Sequence, residues 1–464
     1  MKPSPQTLLL EDQIDQWRGY LRRRQAIHSV DVAELEDHLR EQVAGLVDAG
    51  LATDEAFLVA VKRMGDLDDL SREFAREHSE RLWKQLVVVP ESSEASLASV
   101  RRDTIVAFAL AVAAAMSVKL PALFGIDPEH NPGFYVHNVP LFILPLLTGY
   151  FAWKRKLDTG ILRWLAVAFV LAGLFANIYP WARDATGRQA LTAATEALSV
   201  LHLPMALWFA VGIAYAGARW RQVAGRMDFI RFSGELFIYY VLIALGGGVF
   251  TGFTLMIFEA IGISAEHFVQ LWLLPCGAAG AVLVASWLVE AKQSVIENMA
   301  PVLTRLFTPL FATMLVTFLC AMLWTGRGVG IQREVLIGFD LLLAMVVALL
   351  LYSVSARDPR KAPSAFDGVQ VALVISALLA DAVALSAIAA RISEFGFSPN
   401  RVAALGENVI LLVNLAWSAV LYIRFLRGRG SFSDLERWQT DYLPVYAVWA
   451  AIVVIVFPPL FAYL

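Results

Sequence analysis

Between Asp381 and Ser418 the chain places ionisable and amide side chains at depths where lipid-facing helices carry none. Apolar runs surround Asp381, Glu407 and Asn414, and Asp340 sits within an apolar run of its own. A carboxylate near the bilayer centre costs about 3 kcal/mol on insertion scales, so it usually faces protein or water and marks a functional position by default. The chemistry these residue types offer is proton or ion exchange. No HExxH, Walker, GxSxG or CxxC pattern occurs, which leaves an enzyme reading without a motif.

These residues require two helices joined by a tight turn. Gly396 supplies a left-handed position that closes the first, Ser398 can cap the second, and Pro399 fits its first turn. At the helical rise, Asp381 lies about 15 Å below Arg391 and Glu407 about 9 Å below Arg401. Asn414 and Ser418 follow Glu407 within about 20° of one stripe, which makes that face polar over most of its depth. In the purely structural alternative, Arg391 and Arg401 neutralise Glu407 or Glu394 and the network only orients helices.

With 58% hydrophobic and 17% charged residues over 464 positions, the chain reads as an all-α, polytopic membrane protein with a small helical head. The mean hydropathy of +0.60 agrees. Twelve of the 38 Lys and Arg residues precede Val88, which sets the head apart. The net charge of -3 and the absence of a basic stripe interleaved with aromatics argue against direct nucleic-acid binding. Cys276 and Cys320 fall in apolar runs and read as packing residues, and Met1–Gln16 lacks the apolar core of a signal peptide.

Apolar runs near the spanning length predict about eleven spans: 104–124, 137–153, 161–180, 199–218, 232–258, 267–291, 303–324, 335–355, 369–395, 399–425 and 442–462. Pro140 and Pro145 make the second the least regular. Positive residues gather after the even-numbered spans, as at Lys154–Lys156 and Arg219–Arg231, so the expected topology is a cytosolic head and an external C-terminus in a bacterial inner membrane. Gly246, Gly247, Gly248 and Gly252 include a GxxxG spacing that suits close helix packing, and Pro275, Gly277 and Gly280 would kink or thin the sixth span. Residues 293–300, stopped by Pro301, read as an interfacial helix with Glu297 on its polar side.

Residues 1–88 form a predicted cytosolic helical domain and 89–100 a polar linker, with the membrane domain at 101–464. Four amphipathic helices are read in the head. The first carries Leu10, Ile14, Trp17 and Leu21; the second opens at Asp31 and closes at Gly50; the third runs from Thr53 to Met64; the fourth starts at Asp66. Glu34, Glu36, Asp37 and Glu41 give the second helix an acidic face, either solvated or a docking face for a partner.

The segment Glu34–His78 runs from an acidic helix through an Ala-Gly-Leu turn and Glu-Ala-Phe to Gly-Asp and a second acidic-basic helix. It resembles the permease-prefix domain, also described as the HAAS signalling domain. That resemblance implies a cytosolic adaptor, found beside PadR-type regulators or on transporter-like permeases, and no catalysis. From about residue 393 to the C-terminus the chain resembles the domain-of-unknown-function 4153 family of bacterial membrane proteins, carried by Phe395, Gly396, Phe397, Ser398 and Arg401. It implies no activity.

The sequence therefore supports a signalling or regulatory membrane protein, with a transporter or ion-coupled permease as the alternative. The candidate intramembrane site comprises Asp340, Asp381, Arg391, Arg401, Glu407 and Asn414. No cofactor is expected. Asp127, Glu129, His130 and His137 share one loop region without a recognised ligand spacing, so no metal is assigned. His202 and Lys119, near span ends, read as packing or snorkelling residues. The expected partners are the bilayer and, through residues 1–88, a cytosolic regulator or permease.

Overall fold

The computed structural model describes Ile14 and residues 29–63, 94–181, 193–291, 299–326, 333–359 and 361–463. The chain divides into two compact units, Met1–Ser99 and Val100–Leu464. The described residues are helical and contain no strand, as hydropathy demands: inside lipid a helix satisfies every backbone polar group within its own segment.

In the first unit, helix α1 (Ser29–Asp48) opens ahead of the expected Asp31 and ends before Gly50, which takes a positive φ of 96°. Helix α2 (Thr53–Arg63) follows where Thr53 predicted it. Leu39, Val43, Leu46, Ala56, Phe57 and Ala60 bury a small core together with Ile14. Most of the expected first helix and all of the fourth lie outside the described residues. On the acidic face, Glu36 pairs with Arg40 at 2.9 Å, one turn on, while Asp37 and Glu41 are exposed; Glu34 lies in the same helix.

The second unit begins within α3 (Glu94–Lys119), whose first turns occupy part of the expected linker. There follow α4 (Pro132–Arg155), α5 (Thr159–Ile178), α6 (Ala194–Ala216), α7 (Val223–Ala260), α8 (Glu266–Ala291), α9 (Met299–Thr325), α10 (Arg333–Ala356), α11 (Ala365–Phe395), α12 (Pro399–Leu426), α13 (Phe432–Ile455) and the short α14 (Phe457–Leu460). Among the described residues, ten helices are long and apolar enough to cross a membrane, and the protein is a multi-pass membrane protein. The expected eleventh span corresponds to α13, which is not one of the ten. Asp434, Glu436, Arg437, Gln439 and Asp441 occupy its first half, and the helix breaks at Val456 before Pro458 and Pro459.

Local chemistry explains several outcomes. Helix α4 continues through Pro140 and Pro145, since neighbouring helices can satisfy the freed carbonyls. In α8 a π turn at Val269–Leu273 directly precedes Pro275, and Gly280 brings α8 within 3.3 Å of the Ala111 carbonyl, measured from where a Cβ would stand. Pro301 does not stop a helix. It occupies the first turn of α9, where its missing N–H costs nothing, and most of the expected interfacial segment lies outside the described residues. Among the described residues the glycines at 246, 247, 248 and 252 meet nothing within 4 Å, so the expected tight packing on them does not occur there.

Two apolar cores fill the bundle. One is built from α3 to α8 around Leu147, Tyr150, Phe151, Val211 and Phe232, and the other from α7 and α9 to α13 around Leu315, Leu343, Leu350, Leu373 and Tyr422. Helix α6 bridges the two halves by packing on α4, α12 and α13. Gly406 shows how closely α12 and α13 approach, because a Cβ there would overlap the Trp449 ring. Gly406→Ala should cost about 1–3 kcal/mol by forcing that ring out of place, and Gly406→Ala with Trp449→Leu should recover much of it; thermal unfolding in detergent reads both.

Candidate functional site

The polar residues within the bundle separate into two groups with different characters. Asn414 and Ser418 on α12 meet Gln439 on α13, and all three side chains are fully buried. Asn414 Nδ2 donates to Gln439 Oε1 at 3.1 Å, and Gln439 Nε2 donates to Ser418 Oγ at 2.7 Å. Ser418 Oγ in turn donates to the Asn414 carbonyl at 2.6 Å, and Trp438 Nε1 donates to the same carbonyl at 3.3 Å. This is a satisfied interhelical joint. Asn414 is therefore a packing residue, taken up by a glutamine that the sequence reading did not single out. Gln439→Leu should cost about 1 kcal/mol, a usual size for one interhelical polar contact in a membrane, and leave any transport rate unchanged.

The second group lies toward the end of the bundle that holds the 396–398 turn, with Asp340 and Asp381 on α10 and α11 of the second half and Glu407 on α12, which packs on α6. Asp381 on α11 is 0% exposed, and among the described residues neither of its oxygens has a hydrogen-bond partner. Small neighbours, Ala377, Ala380 and Ala384, line its own helix and leave it without donors. On α10, Asp340 accepts a hydrogen bond from Asn408 Nδ2 at 2.7 Å. Asn408, fully buried on α12, also donates to the Ala404 carbonyl at 2.8 Å, while its own Oδ1 is unpartnered. Asp340 lies within electrostatic reach of both Asp381 and Glu407. Two carboxylates thus face a space poor in donors.

Glu407 and Arg401 do not pair, and the neutralisation considered from sequence does not occur. Arg401 Nη1 donates instead to the carbonyls of Phe395 and Gly396, at 3.0 and 2.8 Å, and its guanidinium lies over the Phe395 ring. It caps the C-terminus of α11, where a cation also complements the helix dipole. Arg391 forms no hydrogen bond or ion pair among the described residues. The turn itself uses Gly396 at φ 75°, whereas Ser398 caps α12 through its backbone, the Val402 N–H donating to the Ser398 carbonyl at 3.0 Å.

The partner of Glu407 is His202 on α6, whose Nε2 lies 2.7 Å from Glu407 Oε1. His202 Nδ1 is 2.8 Å from the Leu198 carbonyl, an acceptor only, so Nδ1 carries a hydrogen and donates it. That fixes the tautomer of the neutral ring and leaves a lone pair on Nε2. A lone pair and a carboxylate oxygen cannot approach to that distance without a hydrogen between them. The pair holds one proton, as imidazolium and carboxylate or as imidazole and carboxylic acid.

A second histidine–glutamate contact stands nearby. His137 Nε2 on α4 is 2.9 Å from Glu196 Oε1 on α6, both buried, although the angles fall outside hydrogen-bond geometry. Glu196, Ser199 and His202 recur every three residues along α6, and Ser199 Oγ is buried without a partner. His137 thereby leaves the loop in which the sequence grouped it. Asp127 is instead held below the usual carboxylate range by hydrogen bonds from the His130 backbone and ring, and Glu129 lies 3.6 Å from His267. Among the described residues no three of His, Cys, Asp and Glu are placed to hold a metal ion. Lys119, read as a snorkelling residue, donates to the Leu271 carbonyl with its ammonium over the Trp272 ring.

The sequence singles out Asp340, Asp381 and Glu407 as intramembrane polar groups, reads His202 as a packing residue and His137 as a loop residue, and leaves Asn408 and Glu196 unremarked. The signal for the latter four was the same, an ionisable or amide group inside an apolar run, but the expected span ends at 137 and 199 placed His137 and Glu196 at the membrane edge. The chain matches no family model, no curated protein and no solved structure.

Proposed function

We propose that the protein is a proton-coupled permease of a bacterial inner membrane, with Asp381 as the proton-binding residue and a cytosolic helical head that docks a regulator. The observation that carries the reading is Asp381 itself, fully buried and without a donor among the described residues while a second carboxylate, Asp340, lies within electrostatic reach. A stability-driven sequence removes such a group, because intramembrane ionisable residues are expensive. Asn408 orients Asp340, and Glu407 with His202 keeps a proton close by.

The signalling element of the proposal rests on the likeness of Glu34–His78 to the permease-prefix domain and on the exposed Asp37 and Glu41. The placement of the head on the cytosolic side rests on the positive residues after the even-numbered spans.

Proteoliposomes adsorbed on a solid-supported electrode test the reading. A pH step should give a transient current from proton binding, and a panel of amino acids, sugars and organic ions under a pH gradient should turn it into a sustained current for at least one solute. Currents of the same size from native protein and Asp381→Asn would overturn it.

A further inference from the structure

A fully buried carboxylate that exchanges protons needs a route to water, and resting on the proton-binding reading of Asp381, we propose that the His202–Glu407 pair is its proton port. The first support is the shared proton, required by the Nδ1 donation to Leu198 and the 2.7 Å approach of Nε2 to Oε1. The second is the gradient of exposure: the side chain of Glu407 is 32% exposed, His202 7% and Asp381 0%. The third is connectivity. Glu407 directly precedes Asn408, Asn408 holds Asp340, and Asp340 is within electrostatic reach of both Glu407 and Asp381.

The transfer conserves charge and atoms. The O–H bond of protonated Glu407 breaks, the electron pair staying on Glu407, as an O–H bond forms on a bridging water whose own proton passes to Asp340. Asp340 yields a proton in the same way to Asp381 and recovers its own pair, and Glu407 is reloaded from water at its exposed edge. His202 is a positioning residue, which aims the Glu407 carboxyl inward and holds the proton between turnovers.

Other titratable groups on the packed elements constrain the port. At this end they are Glu196 on α6, Asp340 on α10, Asp381, Arg391 and Glu394 on α11, and Arg401 on α12, whose guanidinium is committed to the Phe395 and Gly396 carbonyls. On α13, Tyr442 donates to the Ile410 carbonyl, Tyr446 stands beside it, and Asp441 is taken by Arg226. None of these carries a proton between Glu407 and Asp340.

The test is stopped-flow infrared spectroscopy on the full chain in lipid nanodiscs, following the carboxyl band that Asp381→Asn removes. After a pH jump that band should respond about a hundredfold more slowly in His202→Gln and Glu407→Gln, the usual minimum for loss of a positioned proton-transfer group, with its final amplitude unchanged. Glu407→Asp, which keeps the carboxyl, should restore part of the rate, and none of the three should lower the melting temperature more than Gln439→Leu does. A titrating band with native rates in both glutamine variants would overturn the port alone. A native band that does not titrate would overturn the Asp381 reading and the port with it.

Discussion

Asp381→Leu is expected to abolish the proton-step current while making the protein about 2–3 kcal/mol harder to unfold, opposite signs that a purely structural residue does not produce. The stability gain follows from the environment: the carboxylate is fully buried, lacks any donor among the described residues and lies among alanines of its own helix. Leucine has the same branched shape, with methyl groups in place of the oxygens, and removes the cost of an unpaired intramembrane charge, which is about 3 kcal/mol on insertion scales. Asp381→Asn should remove the current as completely with a smaller gain, because its amide still lacks partners. Steric-trap or thermal unfolding in bicelles gives the first quantity, and the electrode assay the second. A leucine variant that is less stable than native would mean that a donor reaches Asp381 in the membrane.

The largest stability loss is expected at the other end of the bundle, at Arg357. Its Nε and Nη2 donate to Asp367 Oδ1 and Oδ2 at 2.8 and 3.1 Å, a two-point match of guanidinium to carboxylate. Asp367 is only 2% exposed and Arg357 16%. The same guanidinium lies 4.7 and 4.4 Å from the ring centres of Phe425 and Phe432, so one side chain ties together α10, α11, α12 and the start of α13. Asp367 also accepts from the Ser364 N–H and hydroxyl, at 2.7 and 2.8 Å, which starts α11. Arg357→Ala leaves that carboxylate buried beside two aromatic rings and should cost about 3–5 kcal/mol. Arg357→Met with Asp367→Leu should recover most of this loss, because the desolvated charge disappears with its partner. A cost below about 1 kcal/mol for the single variant would show that water replaces the guanidinium.

The Asp367 contacts also show what local sequence carries well. Ser364 and Asp367 have the spacing of a capping box, and the same spacing recurs at Ser431 and Asp434 to start α13. Turn chemistry at Gly396 and Pro399 was equally readable, since it depends on one residue's φ or one missing N–H. Where neighbouring helices decide the outcome, the same reading failed. Pro140 and Pro145 leave α4 unbroken, and among the described residues nothing stands against the glycines at 246, 247, 248 and 252.

By itself the sequence determined that the chain is a bundle of membrane-crossing helices and that Asp340, Asp381 and Glu407 lie within it. Those properties belong to single segments: lipid cannot satisfy backbone polar groups, so a long apolar run must be a helix, and a charge inside it must be at depth. Only the tertiary structure decided what each polar group faces. Glu407 meets a histidine 205 positions away, Asp340 an asparagine 68 positions away and Asn414 a glutamine 25 positions away, while Asp381 meets no donor among the described residues. A partner is a relation between two helices, fixed by their rotation and crossing, and apolar stripes broad enough to satisfy several rotations do not specify it.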